Sequence, residues 1–309
     1  MKTLIKKNLY FENNFGEDFG RSFDYSGTKH LGGTAVYGGG SDPPHVDHIG
    51  YYKMGILSNS VDWGGELTAS GSNWCAGVTD ANRAVWTQRD SPGDNSTIDY
   101  VSIGTPGSNA TDFGECVQAT VEQGSVSGQG RGMTAGGGNP ATDHRAYVTI
   151  GIASSATDFQ ELAGARRHTT GQISDGTMFL FAGGQLSNQN MIDKGQFFTN
   201  SDSTDFGNLD GSRAGAGGLT NNYRGVFTGG ESNDHIQYVT IRTAGDAVDF
   251  GGELTRGTWG SPGSSDGSRG CTQGDGGTID YVNIGVKGDA ADFGEMFQSL
   301  TSFGVVTGN

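Results

Sequence analysis

The chain has 309 residues, of which 56 are glycine, and its 10% share of aromatic residues argues against disorder. Six prolines are too few for a collagen helix or a polyproline rod. A formal net charge of -15 argues against duplex DNA or RNA as a partner, because phosphate binding requires a clustered basic face.

The chain begins with a short basic segment, MKTLIKK. Its apolar run is too short for a signal peptide, and no stretch of the chain is apolar for long enough to span a membrane. We expect residues 1–7 to be a tail outside the folded domain. The tail is a candidate attachment to another protein, with an unbound terminus as the alternative. Its candidate contact residues are Lys2, Leu4, Ile5, Lys6 and Lys7.

An Asp-aromatic pair recurs along the rest of the chain, which indicates a repeat protein. Its seven copies lie 43 to 50 residues apart: Asp18-Phe19, Asp62-Trp63, Asp112-Phe113, Asp158-Phe159, Asp205-Phe206, Asp249-Phe250 and Asp292-Phe293. If the repeats are arranged around a ring, their aspartates point in different directions and cannot converge on one substrate. We therefore interpret each aspartate as a cap on the backbone N–H groups of the following turn, and each aromatic residue as packed between repeats.

One repeat, residues 224–257, shows the elements most clearly: RGVFTGGESNDHIQYVTIRTAGDAVDFGGELTRG. A short apolar run ends at Gly229-Gly230, where positive φ permits a sharp reversal. The segment from Ile236 to Ile241 has apolar residues on both faces, as in a sheet that is packed on both sides. With a third strand that ends at Leu254 and a less regular fourth one, the unit has about 45 residues, the size of a four-stranded propeller blade.

The opening strand of the repeat occurs seven times, from TAVYGGG at 34–40 to FGVVTGN at 303–309. The segment that begins at Asn8 contains only the second half of a unit, so the C-terminal strand is expected to pair with it. The sequence therefore predicts an all-β, single-domain, closed seven-bladed β-propeller over residues 8–309, with six or eight blades as alternatives. Pairing of the terminal strands would close the ring and remove the exposed sheet edges.

The repeats resemble a family of kelch-like arrays in virion proteins of tailed marine phages, especially those of cyanobacteria. The similarity lies in the phrases IDYVSI, RAYVTI, IQYVTI and IDYVNI, and in NATDFGE, SATDFQE, DAVDFGG and DAADFGE. The repeats depart from the kelch pattern in having mostly phenylalanine at the position where kelch repeats have tryptophan. The resemblance implies a virion structural protein that is assembled in the host cytoplasm, exposed on the particle exterior and attached to other tail, fibre or capsid proteins. It implies no catalytic residue.

The sequence lacks the motifs that would indicate catalysis. It contains no complete Ser-x-Asp-x-Gly-x-Thr-Trp box of sialidase-type propellers, no nucleophile elbow, no phosphate-binding glycine loop and no Cys-x-x-Cys pair. His45, Asp47 and His48 could hold a metal, but strand alternation places His48 on the opposite face and no further ligand is evident. We therefore predict no enzymatic activity, no cofactor and no metal site, with a glycan hydrolase as an alternative.

The segment after the third strand differs most between repeats, and propellers bind ligands through variable rim loops. Tryptophan and arginine suit sugar rings and anionic sugar groups, through stacking and forked hydrogen bonds. The candidate binding residues are Trp74, Arg166, Arg167, His168, Arg213, Arg256 and Trp259. The sequence thus predicts a host-surface glycan binder. The alternative is a passive capsid or tail decoration whose tryptophans only pack against the adjacent blade.

Overall fold

The computed structural model describes residues 33–41, 46–68, 74–87, 96–138, 140–186, 190–260 and 262–308. Within these ranges the chain is all-β apart from one short 3-10 turn, Asp275–Gly277. Its strands form six four-stranded antiparallel sheets, arranged as the blades of a β-propeller, and one two-stranded ribbon. No helix in these ranges has the length and apolar character needed to cross a membrane. The predicted tail and the first Asp-aromatic pair lie outside the described residues.

The strands are numbered in chain order, and each blade is given with its residue ranges. Blade 1 contains β1 (Thr34–Gly38), β2 (His48–Lys53) and β3 (Val61–Glu66), together with the C-terminal strand β26 (Gly304–Gly308). Blade 2 contains β4 (Ala76–Thr79), β5 (Arg83–Thr87), β6 (Thr97–Ser102) and β7 (Thr111–Glu115). Blade 3 contains β8 (Gly124–Gly128), β9 (Arg131–Ala135), β10 (His144–Thr149) and β11 (Thr157–Glu161).

The second half of the chain repeats this plan. Blade 4 contains β13 (Thr170–Ser174), β14 (Met178–Ala182), β16 (Met191–Gln196) and β17 (Thr204–Asn208), and beside it β12 (Arg166–Arg167) pairs with β15 (Gln185–Leu186). Blade 5 contains β18 (Gly217–Thr220), β19 (Arg224–Thr228), β20 (Asn233–Thr240) and β21 (Val248–Thr258). Blade 6 contains β22 (Gly263–Ser265), β23 (Arg269–Gln273), β24 (Thr278–Asn283) and β25 (Ala291–Glu295).

The prediction of seven blades is wrong, because the described residues form six. The sequence interpretation aligns FGVVTGN with second strands such as RGVFTGG, whereas β26 occupies the innermost position of blade 1 and pairs with β1. Its phrase matches the innermost strands of other blades, as in AGVTDAN and GGLTNNY. These short strands are rich in glycine and hydroxyl-bearing residues. Because glycine has low strand propensity, the strands are hard to recognise in the sequence.

Each innermost strand carries a buried hydroxyl residue at the same position near its end: Thr79, Ser127, Ser174, Thr220, Ser265 and Thr307. These hydroxyls join neighbouring blades. The Ser174 hydroxyl donates to the Ser127 carbonyl at 2.9 Å, and the Thr220 hydroxyl donates to the Ser174 carbonyl at 3.0 Å. The axis of the propeller is therefore filled by paired polar groups at this end.

The hydrophobic core lies between the blades. In the described residues it consists of six clusters, each of which draws its side chains from two neighbouring blades. Phe113 of blade 2, for example, packs with Val148 and Ile150 of blade 3. The predicted packing of the repeated aromatic residue between blades is confirmed. A blade has no core of its own, so each depends on its neighbours.

A pair of hydrogen bonds joins each blade to the next. A Glu or Asn in the last strand of one blade donates its backbone N–H to a side-chain oxygen in the next blade, at 2.8 to 3.2 Å. Its carbonyl accepts the N–H of the residue that follows that side chain, at 2.7 to 2.9 Å. In the part of the chain that the structure describes, the pair occurs six times, with the acceptor side chains Asn109, Ser155, Asp202, Asp246, Asp289 and Asn59. We refer to this pair as the blade joint.

The blade joint explains the recurring phrase, as in NATDFGE of residues 109–115. Asn109 accepts the bond from blade 1, and Glu115 donates the equivalent bond to blade 3. Between them Asp112 accepts the N–H of Gly114 at 2.9 Å and Phe113 is buried. The predicted capping role of the aspartate is confirmed here and recurs in blades 1 and 5. The phrase is therefore structural.

The six blades alternate between two types. In blades 2, 4 and 6 the third strand carries a buried aspartate, Asp99, Asp193 or Asp280. Each accepts, at 2.6 to 3.1 Å, the backbone N–H of the residue two positions after the joint glutamate of the preceding blade. The donors are Thr68, Ala163 and Thr255. Blades 1, 3 and 5 instead have His48, His144 and His235 near the start of the third strand. Blade 5 departs from this alternation in part, because its buried Gln237 accepts the N–H of Asp210 at 2.9 Å in the position of the aspartate. The histidine nevertheless recurs in every second blade.

Blades 2 and 3 approach each other closely at Gly114, so Gly114→Ala tests how much the blade joint contributes to stability. Gly114 has φ +145, and a Cβ on it would lie 2.5 Å from the carbonyl carbon of Ser154 in blade 3. We expect the substitution to lower the free energy of unfolding by about 2 kcal/mol or more. Gly104→Ala is the matched control in the same blade, because a Cβ on Gly104 meets nothing within 4 Å. Equal urea midpoints for the two variants would contradict this account.

Candidate functional site: an axial collar

Six residues at equivalent positions surround one end of the propeller axis. Each precedes an innermost strand by two or three residues and has φ between 55° and 65°: Trp74, Glu122, His168, Gly215, Gly260 and Ser302. Backbone hydrogen bonds link neighbours in this set. The N–H of His168 donates to Glu122 at 2.8 Å, and the N–H of Gly215 donates to His168 at 2.9 Å. We refer to these six residues as the collar.

The collar holds large side chains where the backbone favours glycine. A left-handed conformation costs a residue with a side chain roughly 1 to 2 kcal/mol, and glycine avoids this cost. Two collar residues are glycine, but Trp74, Glu122 and His168 are not. Such conformations are concentrated at ligand sites, where the surrounding structure maintains them. The collar is therefore the first place in the described residues to look for a function.

An aromatic cluster lies at the collar. Trp74 and His168 have ring centroids 4.4 Å apart, and His168 and Trp259 have centroids 5.3 Å apart. The three residues come from the connections that follow blades 1, 3 and 5, so they reflect the alternation of the blades. Both tryptophans are partly exposed, whereas the His168 side chain is only 5% exposed. The cluster thus presents indole surface to solvent around a buried imidazole.

Two charged groups accompany the aromatic cluster. A carboxylate oxygen of Glu122 lies 3.3 Å from Nε2 of His168 and 3.4 Å from Nη1 of Arg167. Burial raises the pKa of Glu122, while the charge of Arg167 acts in the opposite direction. Burial, and then the positive charge of Arg167, lower the pKa of His168 to about 4. The imidazole is therefore neutral at neutral pH, next to a carboxyl and a guanidinium group of opposite charge.

A cavity of about 80 Å³ lies behind the collar. Its walls are mostly the glycine-rich starts of the innermost strands, together with Ser125 and Thr169. The buried hydroxyl residues near the ends of the innermost strands do not line it. It is large enough for several water molecules or a small chemical group. The collar and cavity together form a small pocket with mostly apolar, glycine-rich walls, a few polar groups and an aromatic mouth.

The structure brings together four of the seven predicted binding residues: Trp74, Arg167, His168 and Trp259. The guanidinium of Arg166 is fully buried and bonds Asp193 at 2.8 Å, so it does not reach solvent.

The remaining two predicted arginines lie in the connection after blade 4 and in the last strand of blade 5. Arg213 is 8% exposed and lies 3.2 Å from Asp210 and 3.1 Å from Nδ1 of His235. Arg256 is exposed within β21. Burial therefore separates Arg166 and Arg213 from the half-buried Arg167, and burial at individual positions was not visible in the repeat pattern.

Sequence reasoning missed Glu122 and Ser302 as members of the collar. Their connections read VEQG and TSFG and contain neither tryptophan nor arginine. The available signal was positional: each residue stands two places before an innermost strand, as Trp74 and His168 do. That signal required the innermost strands to be recognised first.

The other histidine-carboxylate clusters belong to the alternating blades. Asp47, His48 and Glu66 have potential ligand atoms within 4.8 Å of one another, while His45 lies outside the described residues. The sequence did not reveal Glu66, which is paired with His48 across β2 and β3. In blades 3 and 5 the equivalent histidines lie 3.2 Å from Asp158 of the same blade and 2.9 Å from Asp210 of the preceding connection, so each histidine has a carboxylate neighbour at a different position.

Comparison with known proteins gives no family for this chain. No protein-family model matches it, and no curated protein matches its sequence. The functional interpretation therefore rests on the geometry of the collar and on the repeat phrases.

Acidification is expected to destabilise the protein through His168. A histidine in the unfolded chain has a pKa near 6.5, against about 4 in the fold. The stability that comes from keeping this imidazole neutral is complete above pH 6.5. It is lost as the pH falls toward 4, because the unfolded chain then binds the extra proton. The loss amounts to about 3 kcal/mol.

His168→Gln should therefore show a weaker loss of unfolding free energy between pH 7 and pH 4.5 than the wild type, as measured by urea titration. Glu122 and Arg167, which face the imidazole, are present in both proteins. His48→Gln is the control, because that side chain is 40% exposed, and it should keep the wild-type pH dependence. An unchanged slope in His168→Gln would show that His168 does not control the acid response.

Proposed function

We propose that the protein is a virion component of a tailed phage, a compact propeller knob that binds a host-surface glycan at the collar. The observation that carries the binding role is the meeting of Trp74, His168 and Trp259 at the mouth of a small cavity on the axis, whose mostly apolar walls include a few polar groups. Indole faces provide apolar surface for a sugar ring, and a few convergent polar groups can bind its hydroxyls.

The location on a phage particle is supported by the repeat phrases, such as IDYVNI and DAADFGE, which resemble those of phage virion proteins. In this proposal the protein is exposed on the particle exterior and attached to a tail, fibre or capsid protein. Residues 1–7 are the proposed attachment segment. A passive decoration protein is the second candidate, and it differs in having no ligand at the collar.

A glycan hydrolase is less well supported by the pocket. Glycosidases generally use two carboxyl groups on either side of the scissile bond. Among the described residues that line the cavity, Glu122 is the one with a carboxylate. The arrangement therefore favours binding over hydrolysis.

The proposal includes a closed six-bladed ring, which would hold the collar residues in fixed positions. Closure is supported by the pairing of β26 with β1 and by the joint between Glu295 of blade 6 and Asn59 of blade 1. These contacts link the last blade of the chain to the first in the same way as the other blades are linked.

Deletion of residues 303–309 tests closure. The deletion removes Val305 and Val306 from the core and leaves the edge of β1 unpaired. We expect it to abolish cooperative thermal unfolding, as followed by circular dichroism. Deletion of residues 1–7 is the control and should keep the wild-type transition. A 303–309 deletion that unfolds like the full chain would contradict a closed ring.

Glycan-array binding, together with antibody labelling of intact particles, tests the proposed function. The wild type should bind a defined set of glycans, and Trp74→Ala should weaken that binding by about tenfold or more, because it removes one stacking surface. Tyr223→Ala is the matched control, since Tyr223 is 62% exposed on the turn between β18 and β19, away from the collar. Antibody should label the surface of undisrupted particles.

Three outcomes would contradict the proposal. A folded wild type that binds no glycan would favour the passive decoration protein. Release of new reducing ends from a bound glycan would favour the hydrolase. Labelling of disrupted particles alone would contradict an exposed position on the virion.

A further inference from the structure

The pocket also limits which part of a glycan it can accept. The cavity opens at the collar, while Ser127, Ser174 and Thr220 near the far end of the axis are buried and bonded between blades. A chain cannot pass through such a pocket. Only the end of a chain, or a group that projects from it, can enter.

The walls of the cavity leave little room beyond one group. The innermost strands approach each other so closely that a Cβ on Gly171 would lie 1.9 Å from the carbonyl oxygen of Ser125, and one on Gly218 would lie 1.8 Å from that of Gly171. The remaining space is about 80 Å³. Because the walls are backbone, they cannot move aside as side chains can. The pocket therefore accepts a substituent of one ring, while the rest of that ring lies against the aromatic mouth.

The four predicted arginines already have carboxylate neighbours, and the charge of Arg256 acts on Asp280. Arg167 faces Glu122 at 3.4 Å, Arg166 bonds Asp193 at 2.8 Å, and Arg213 lies 3.2 Å from Asp210. A carboxylated, sulfated or phosphorylated sugar requires cationic donors for strong binding. To bind one here, an arginine would have to leave its carboxylate.

The remaining electrostatics also disfavour an anionic ligand. The imidazole of His168 is neutral at neutral pH, so it supplies no positive charge at the mouth. The chain has a formal net charge of -15, and its field repels anions. The pair formed by Glu122 and Arg167 has no net charge and does not attract a cationic ring either.

We infer that the collar binds the terminal ring of an uncharged glycan, end-on and with one ring per propeller. This inference rests on the proposed glycan-binding function and specifies its ligand. It differs from the expectation drawn from the sequence, in which the arginines were candidates for anionic sugar groups.

Matched pairs of oligosaccharides test the inference. Each pair has the same chain and differs only in its terminal ring, which is glucose or glucuronic acid in one pair and galactose or galacturonic acid in the other. Binding of the wild type is measured at constant ionic strength. It should bind the uncharged member at least about tenfold more tightly in a pair that it recognises. Methylation of the terminal-ring hydroxyls should weaken binding by a similar factor, while lengthening the chain at its reducing end should change it little.

A variant of Glu122 tests the electrostatic reason. Glu122→Gln keeps the shape of the side chain but leaves Arg167 without this carboxylate, so affinity for the acidic member of a pair should rise. Glu253→Gln is the control, because that exposed residue lies in blade 5 and does not line the cavity. It should keep the wild-type preference.

The outcomes separate the inference from the function on which it rests. Equal or tighter binding of the acidic member by the wild type overturns the inference, and the proposed glycan-binding function stands. Binding that persists after terminal-ring methylation overturns the end-on mode. A Glu122→Gln protein with no gain for acidic rings overturns the electrostatic reason. A folded protein that binds none of the sugars, or of a wider array, overturns the proposed function itself.

Discussion

The blade joint is the interaction on which the rest of the structure depends. Each blade has its apolar side chains in clusters shared with its neighbours, so no blade can bury them alone. The joint fixes the distance between two blades through one backbone pair and one side-chain oxygen, as at Glu66 and Asn109. Because these bonds are exposed to solvent, each contributes modestly to stability, and the joint acts chiefly by specifying the register of neighbouring blades.

The sequence predicted the elements that follow directly from this joint. Each blade needs a capping aspartate, a buried aromatic residue and a side-chain acceptor. The sequence phrase that contains them could therefore be recognised as a repeat. The number of blades was harder to predict, because the innermost strands contain few residues with strand propensity and β26 was aligned with the wrong strand. The repeated phrase could be recognised because its role depends on side chains that are close in sequence. The strand order could not, because it depends on which strands pair across long sequence separations.

The candidate site was only partly predictable for a related reason. Trp74, His168 and Trp259 were recognisable by residue type, but their convergence follows from the alternation of blades. Arg166 and Arg213 have the same residue type as Arg167 and differ from it in burial, which tertiary packing decides. Glu122 belongs to the site through its place in the register and its left-handed backbone, and neither property is visible in its immediate sequence.

The collar and the joint divide two roles between different parts of the same repeat. The joint requires a side-chain oxygen at one position in each blade, so only a few residue types can occupy that position. The collar is held by backbone hydrogen bonds, as between His168 and Glu122, which any residue able to adopt positive φ can make. Its side chains are therefore free to differ from blade to blade without loss of the ring. In the proposed binding role, less conformational entropy would be lost, because the backbone already holds these side chains in place. A repetitive propeller can in this way carry one asymmetric site on its axis.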